Sequence, residues 1–236
     1  MAKQKISIII PIYNEEATLS ELYKRLILSL NKDFPSFRYE IIFIDDGSTD
    51  RSFSIASRLR KKDSSIKLIQ FSRNFGHHIA ITAGIDHADG DFVVMMDCDL
   101  QDRPEQIIHL YNQLSKGYDV VYAERVNKQF GLLKKISSSL FNKLIRILIQ
   151  EDIVINSTIF RIMTKQVVDS IRSLRERNRY LVGIIGWVGF SHTSVKVPHG
   201  KRFAGESKYS LSKQVALAIN AITSFSDYPL RLASRV

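Results

Sequence analysis

Apolar positions in the first half of the chain fall into short, unalternated runs, separated by longer stretches where they recur at helical spacing. The runs are Ile6 to Ile10, Tyr39 to Ile44, Ile66 to Gln70, Asp91 to Met96 and Asp119 to Ala123. Their β-branched or apolar, mostly unalternated character is that of strands buried on both faces of a parallel sheet. Between them, Ala17 to Leu30, Ser52 to Lys61, His78 to His87 and Pro104 to Ser115 predict helices. Regular alternation of the two predicts an α/β fold, a doubly wound and mostly parallel sheet flanked by helices. Ligands of such sheets bind beyond the carboxyl ends of the strands, so chemistry is sought there.

After Ala123 the rhythm breaks. Gly131 to Gln150 predicts a helix with Leu133, Ile136, Leu140, Leu144 and Ile147 on one stripe, accompanied by Lys134, Lys135, Lys143 and Arg146. Packing on the sheet explains that stripe, and so does a helix lying in a membrane interface. A second helical stretch, Leu211 to Phe225, is followed by Pro229, Arg231 and Arg235. The longest apolar run, Tyr180 to Phe190, falls short of the roughly 18 residues that a membrane span needs. Trp187 within it is expected to pack in the core, with an acceptor groove as the other option.

Charge changes the picture more than composition does. The 236 residues carry a net charge of +10, but 1–118 hold 15 Lys/Arg against 16 Asp/Glu, while 119–236 hold 19 against 8. A basic second half fits phosphate groups of nucleic acid, membrane lipid or a phosphorylated substrate, or simply a solvated face. The single cysteine, Cys98, excludes an internal disulfide and reads as a small buried residue.

Three of the predicted strands end in polar clusters: Pro11-Ile12-Tyr13-Asn14-Glu15-Glu16, Asp45-Asp46-Gly47-Ser48-Thr49-Asp50 and Asp97-Cys98-Asp99-Leu100-Gln101. Asp97 and Asp99, two apart at a strand end, are expected on one side of the pleat. Paired carboxylates suit Mg²⁺ or Mn²⁺, with the Gln101 amide oxygen as an additional donor. Singly, each cluster is also explained by helix capping; three at neighbouring strand ends predict one crevice. Neither a G-x-G-x-x-G after the first strand nor a P-loop sequence is present. His77 and His78 follow Gly76 with no third ligand nearby in sequence, which argues against zinc.

The segments IIIPIYNEE, IDDGSTD, FSRNFGHHIAITAGIDHADGD, DCDLQDRPE, Phe160-Arg161, RFAGESKYS and ITSFSDYPLR resemble the family 2 glycosyltransferases of GT-A fold. Within that family they are similar to the polyprenyl-phosphate branch, which includes dolichol-phosphate mannose synthases, bactoprenol glucosyltransferases and undecaprenyl-phosphate aminoarabinose transferases. The resemblance implies inverting transfer of a sugar from a nucleotide-diphosphate donor, expected to be a UDP-sugar, to a polyprenyl phosphate at the cytoplasmic face of the cell membrane. It implies that Pro11, Tyr13, Glu15 and Asp46 hold the base and ribose, and that Asp97 contacts the nucleotide side. Asp99 and Gln101 would bind Mg²⁺ or Mn²⁺. Arg125, Arg202, Ser207 and Lys208 would contact phosphates of donor or acceptor, with Asp97, Asp99 and Arg202 central to catalysis.

By the same likeness, 1–125 form the nucleotide-sugar half, 126–210 the acceptor side of the same domain, and 211–236 a juxtamembrane segment preceding transmembrane helices. One position departs from the pattern. Bactoprenol glucosyltransferases have an aspartate before the Phe-Arg pair, where this chain has Ile159. A phosphate monoester, with a second pKa near 6, arrives largely deprotonated and needs positioning more than a base. Transfer to a sugar hydroxyl of a growing polysaccharide would lack that advantage and stands as one alternative; a basic nucleic-acid-binding module stands as another.

Overall fold

The computed structural model describes residues 3–126, 159–174, 181–198 and 200. In chain order its strands are β1 (Lys5–Ile12), β2 (Arg38–Asp45), β3 (Ile66–Gln70), β4 (Phe92–Met95), β5 (Val120–Val126), β6 (Arg161–Thr164) and β7 (His192–Pro198). The helices are α1 (Leu19–Asp33), α2 (Ser52–Lys62), α3 (His77–His87), α4 (Ile107–Leu114), α5 (Lys165–Ser173) and α6 (Leu181–Trp187), with a 3₁₀ turn at Pro104–Gln106 before α4.

The seven described strands belong to one sheet in the order β3-β2-β1-β4-β6-β5-β7, and among them only β6 runs against the rest. The expected mostly parallel α/β sheet is the observed one. Strand β1 pairs in parallel with β2 on one side and β4 on the other, and every residue after Lys5 is buried. Helix α1 presents Leu19, Leu22, Leu26 and Leu30, at three- and four-residue spacing, to the face carrying Ile6, Ile8, Ile10 and Phe43. Helix α3 covers the other face, setting Ala80, Ile81 and Ile85 against Ile9, Ile42 and Ile44. Arg172 of α5 closes the far end of α3 by donating to the carbonyls of Ile85 and Ala88.

Two strands lie outside the sequence expectation. Strand β6, four residues long, is too short to declare a period, yet it wedges between β4 and β5. Strand β7 is at the sheet edge, and its largely alternating exposure lacks the continuous apolar run of a central strand. A further correction concerns Trp187. Helix α6 buries Leu181, Ile184 and Ile185, whereas Trp187 at its end is 56% exposed and is not a core residue. Cys98 is buried, as read. No helix among the described residues is long and apolar enough to cross a membrane. The stretches Gly131 to Gln150 and Leu211 to Phe225 lie outside the described residues.

Candidate active site

Strands β2, β1 and β4 are neighbours, so their carboxyl ends bring the three polar clusters together. The first two are stitched to each other by side chains. Ser48 Oγ accepts the Asn14 amide at 3.0 Å, Ser52 Oγ the Glu15 amide at 2.7 Å, and Asp50 Oδ2 the Glu16 amide at 3.1 Å. Asn14 Oδ1 returns the link by accepting the Thr49 amide at 2.8 Å. Much of the polarity read from sequence as chemistry or capping is therefore spent joining two loops, which allows Asn14 its left-handed φ of 54°. Of the residues expected at the donor base and ribose, Pro11 is buried within β1, while Tyr13 and Glu15 are partly exposed above it.

Asp46 lies buried beyond the end of β2 and holds the loop after β3. Its Oδ1 accepts the Phe75 amide at 2.7 Å and its Oδ2 the Gly76 amide at 3.0 Å. Burial pushes this carboxyl above its ordinary value, against the lowering influence of those two amides. The adjoining Gly47 has φ +70°, and a Cβ there would stand 2.4 Å from the Arg73 carbonyl carbon. Backbone cannot yield as a side-chain tip does. Gly47→Ala is expected to cost about 2 kcal/mol, combining overpacking with left-handed strain, and to lower the melting temperature by several degrees. Thermal unfolding followed by circular dichroism measures it.

The third cluster corrects the expectation of a pleat. Strand β4 ends at Met95, and the residues that follow form a turn in which Leu100 has φ +61°. Met96, Cys98 and Leu100 are buried in the core on the α1 face, and they fix the backbone from which Asp97, Asp99 and Gln101 extend. Asp99 Oδ1 accepts the Gln101 amide at 3.0 Å, tightening the turn. Asp97 Oδ1 lies 3.5 Å from His77 Nε2 at the start of α3. Partial burial lowers the His77 imidazole below its ordinary value, against the pull of Asp46 and Asp99. Chain order alone argues against zinc at His77 and assigns the ring no other partner. The usable signal was its position immediately after the glycine turn that follows β3.

Among the described residues no group of three or more His, Cys, Asp or Glu side chains converges to hold a metal by itself. The Asp99 carboxylate and the Gln101 amide nevertheless supply hard oxygen donors from one turn. That set suits Mg²⁺ or Mn²⁺, which take one or two carboxylates and complete their shell with water and substrate phosphate.

The basic residues expected at phosphates are less visible. Arg125 belongs to β5 but its side chain is outside the described residues, as are Arg202, Ser207 and Lys208. Gly200, two positions before Arg202, donates its amide to the Gln101 carbonyl at 3.1 Å. Ile159 packs against the apolar cluster on the α3 face. The neighbouring Arg161 is buried beneath the site, its guanidinium 4.9 Å from the centre of the Tyr122 ring.

Residues 7–172 match the model of the family described as Glycosyl transferase family 2. The chain is 39% identical over 229 residues to a bactoprenol glucosyl transferase of Shigella phage SfV, covering 97% of this chain and 74% of that protein. It is 34% identical over 237 residues to the undecaprenyl-phosphate 4-deoxy-4-formamido-L-arabinose transferase of Enterobacter sp. (strain 638), covering 99% and 71%. The fold is shared with glucosyl-3-phosphoglycerate synthase from Mycobacterium tuberculosis, solved with Mn²⁺, UDP and glucosyl-3-phosphoglycerate. That comparison has a TM-score of 0.64 and 18% identity, and covers 94% of this chain and 78% of that one. With its GT-A architecture, its acidic turn beyond β4 and a match through most of its length, the chain belongs to glycosyl transferase family 2.

Proposed function

We propose that this protein is an inverting, metal-dependent glycosyltransferase that moves a sugar from a UDP-sugar to a polyprenyl phosphate at the cytoplasmic face of the cell membrane. The observation that carries this reading is the meeting of three polar clusters at the adjacent ends of β2, β1 and β4. It occurs in a chain similar through 97% of its length to a bactoprenol glucosyl transferase.

In this reading Pro11, Tyr13 and Glu15 border the base and ribose. Asp46, its oxygens engaged by the Phe75 and Gly76 amides, shapes the same pocket through the loop it holds. Asp97 serves the nucleotide side, while Asp99 and Gln101 hold Mg²⁺ or Mn²⁺. When bound, the ion neutralises charge on the departing diphosphate. Arg125, Arg202, Ser207 and Lys208 bind phosphate oxygens of donor and acceptor, as cations and a hydroxyl do well. The surplus of positive charge in the second half favours approach to an anionic membrane surface.

Ile159, packed with apolar neighbours, contributes no base. None is required when the nucleophile is a phosphate oxygen, since the acceptor arrives deprotonated and needs orientation and screening of its charge. Direct displacement by that oxygen at the anomeric carbon expels the nucleoside diphosphate and inverts the centre.

The test is calorimetric titration of UDP and of GDP, each with and without Mn²⁺. UDP binding that requires Mn²⁺ is the expected result, and it identifies the sugars to be assayed with polyprenyl phosphate. Binding of neither nucleotide by folded protein overturns the proposal.

A further inference from the structure

We propose that His77 is a positioning residue for the donor site, its N–H holding Asp97 in the orientation that receives the nucleotide. The inference rests on the donor-site reading above and adds a residue to it. His77 is the first residue of α3, and the chain just before it is immobilised twice. Asp46 binds the amides of Phe75 and Gly76, and Gly47 lies so close to Arg73 that no side chain fits between them. The first turn of α3 then buries Ala80 and Ile81 against the sheet. The imidazole is thus delivered to the acidic turn from a fixed backbone.

Asp97 is likewise carried on fixed backbone, because Met96 and Cys98 on either side are buried. His77 Nε2 stands 3.5 Å from Asp97 Oδ1, with both side chains about one-third exposed. That separation is long for a hydrogen bond, and contacts of this kind shorten when a ligand closes the site. Asp46 and Asp99 also act electrostatically on the same ring. A neutral imidazole orients its neighbour by donating one hydrogen and leaves the negative charge that a divalent cation requires.

Two substitutions separate hydrogen bonding from packing. His77→Phe keeps a ring of similar volume and removes the N–H; His77→Gln keeps a side-chain N–H donor without the ring. Calorimetric titration of UDP with Mn²⁺ is expected to show about tenfold weaker binding for His77→Phe. His77→Gln is expected to stay within about threefold of wild type, with melting temperatures of both variants close to the parent. Wild-type affinity in His77→Phe, or equal weakening in both variants, overturns the role of His77 and leaves the donor site standing. Absence of UDP binding in the wild type overturns both.

Discussion

Asp99→Ala is expected to lower sugar transfer to polyprenyl phosphate about a thousandfold. The charge that builds on the leaving diphosphate is neutralised by an ion in this reading, a contribution of several kcal/mol, and each 1.36 kcal/mol is a factor of ten in rate. Alanine removes more than a metal ligand, because Asp99 Oδ1 also accepts the Gln101 amide and Leu100 between them sits at φ +61°. Asp99→Asn separates the two effects: it keeps an acceptor oxygen for the turn and loses the negative charge. Both variants are expected to lose Mn²⁺-dependent UDP binding and transfer, while Asp99→Asn keeps the parental melting temperature. Radiolabelled sugar transfer, with melting followed in parallel, reads both quantities. Retention of more than about a tenth of the activity by Asp99→Asn would remove Asp99 from the metal site.

The second large effect lies at the opposite end of the sheet. Glu40 of β2 is buried and accepts from Lys5 Nζ at 2.7 Å, Ser7 Oγ at 2.5 Å and the Asp89 amide at 2.7 Å, with Lys67 Nζ 3.0 Å away. Burial alone would raise this carboxyl; the hydrogen bonds from Lys5, Ser7, Asp89 and Lys67 more than reverse that and hold it at about 2. A carboxyl depressed from 4.5 stabilises the fold at every pH above its unfolded value. That stability is lost as the pH falls from about 4.5 through 2. Integrated over the shift the contribution is about 3 kcal/mol, in line with the cost of removing one member of a buried ion pair. Glu40→Ala is therefore expected to lower the melting temperature at pH 7 by roughly 10 °C. It should also flatten the acid side of the stability curve below pH 4.5 relative to wild type. Thermal unfolding at pH 7 measures the first and urea unfolding at pH 7 and pH 3 the second, and superimposable results for the two proteins would mean that the cluster is stability-neutral.

The parts of the fold legible in sequence were those with repeated local pattern. Strand β1 is apolar at every position after Lys5 except Ser7 because β2 and β4 flank it and helices cover both faces. Helix α1 shows its buried stripe because only one side meets the sheet. Strands β6 and β7 were missed for a shared reason: their place in the sheet comes from partners distant in sequence, not from their own periodicity. Trp187 misled because apolar composition does not reveal which side of a short helix is covered.

At the site, residue types identified the right strand ends, since carboxylates and amides beyond buried strands are chemically conspicuous. What they touch was not legible. Asp46 supports the Phe75–Gly76 loop, Asp50 and Ser52 bind the loop after β1, and His77 meets Asp97 only through the packing of α3 on the sheet. The sequence by itself determined the class of fold, the crevice and the donor atoms available for a cation, because these follow from local pattern and chemical identity. Only the tertiary structure decided which polar groups are spent on loop-to-loop bonds and which remain for a ligand, because hydrogen bonding depends on distances between segments that the chain order does not encode.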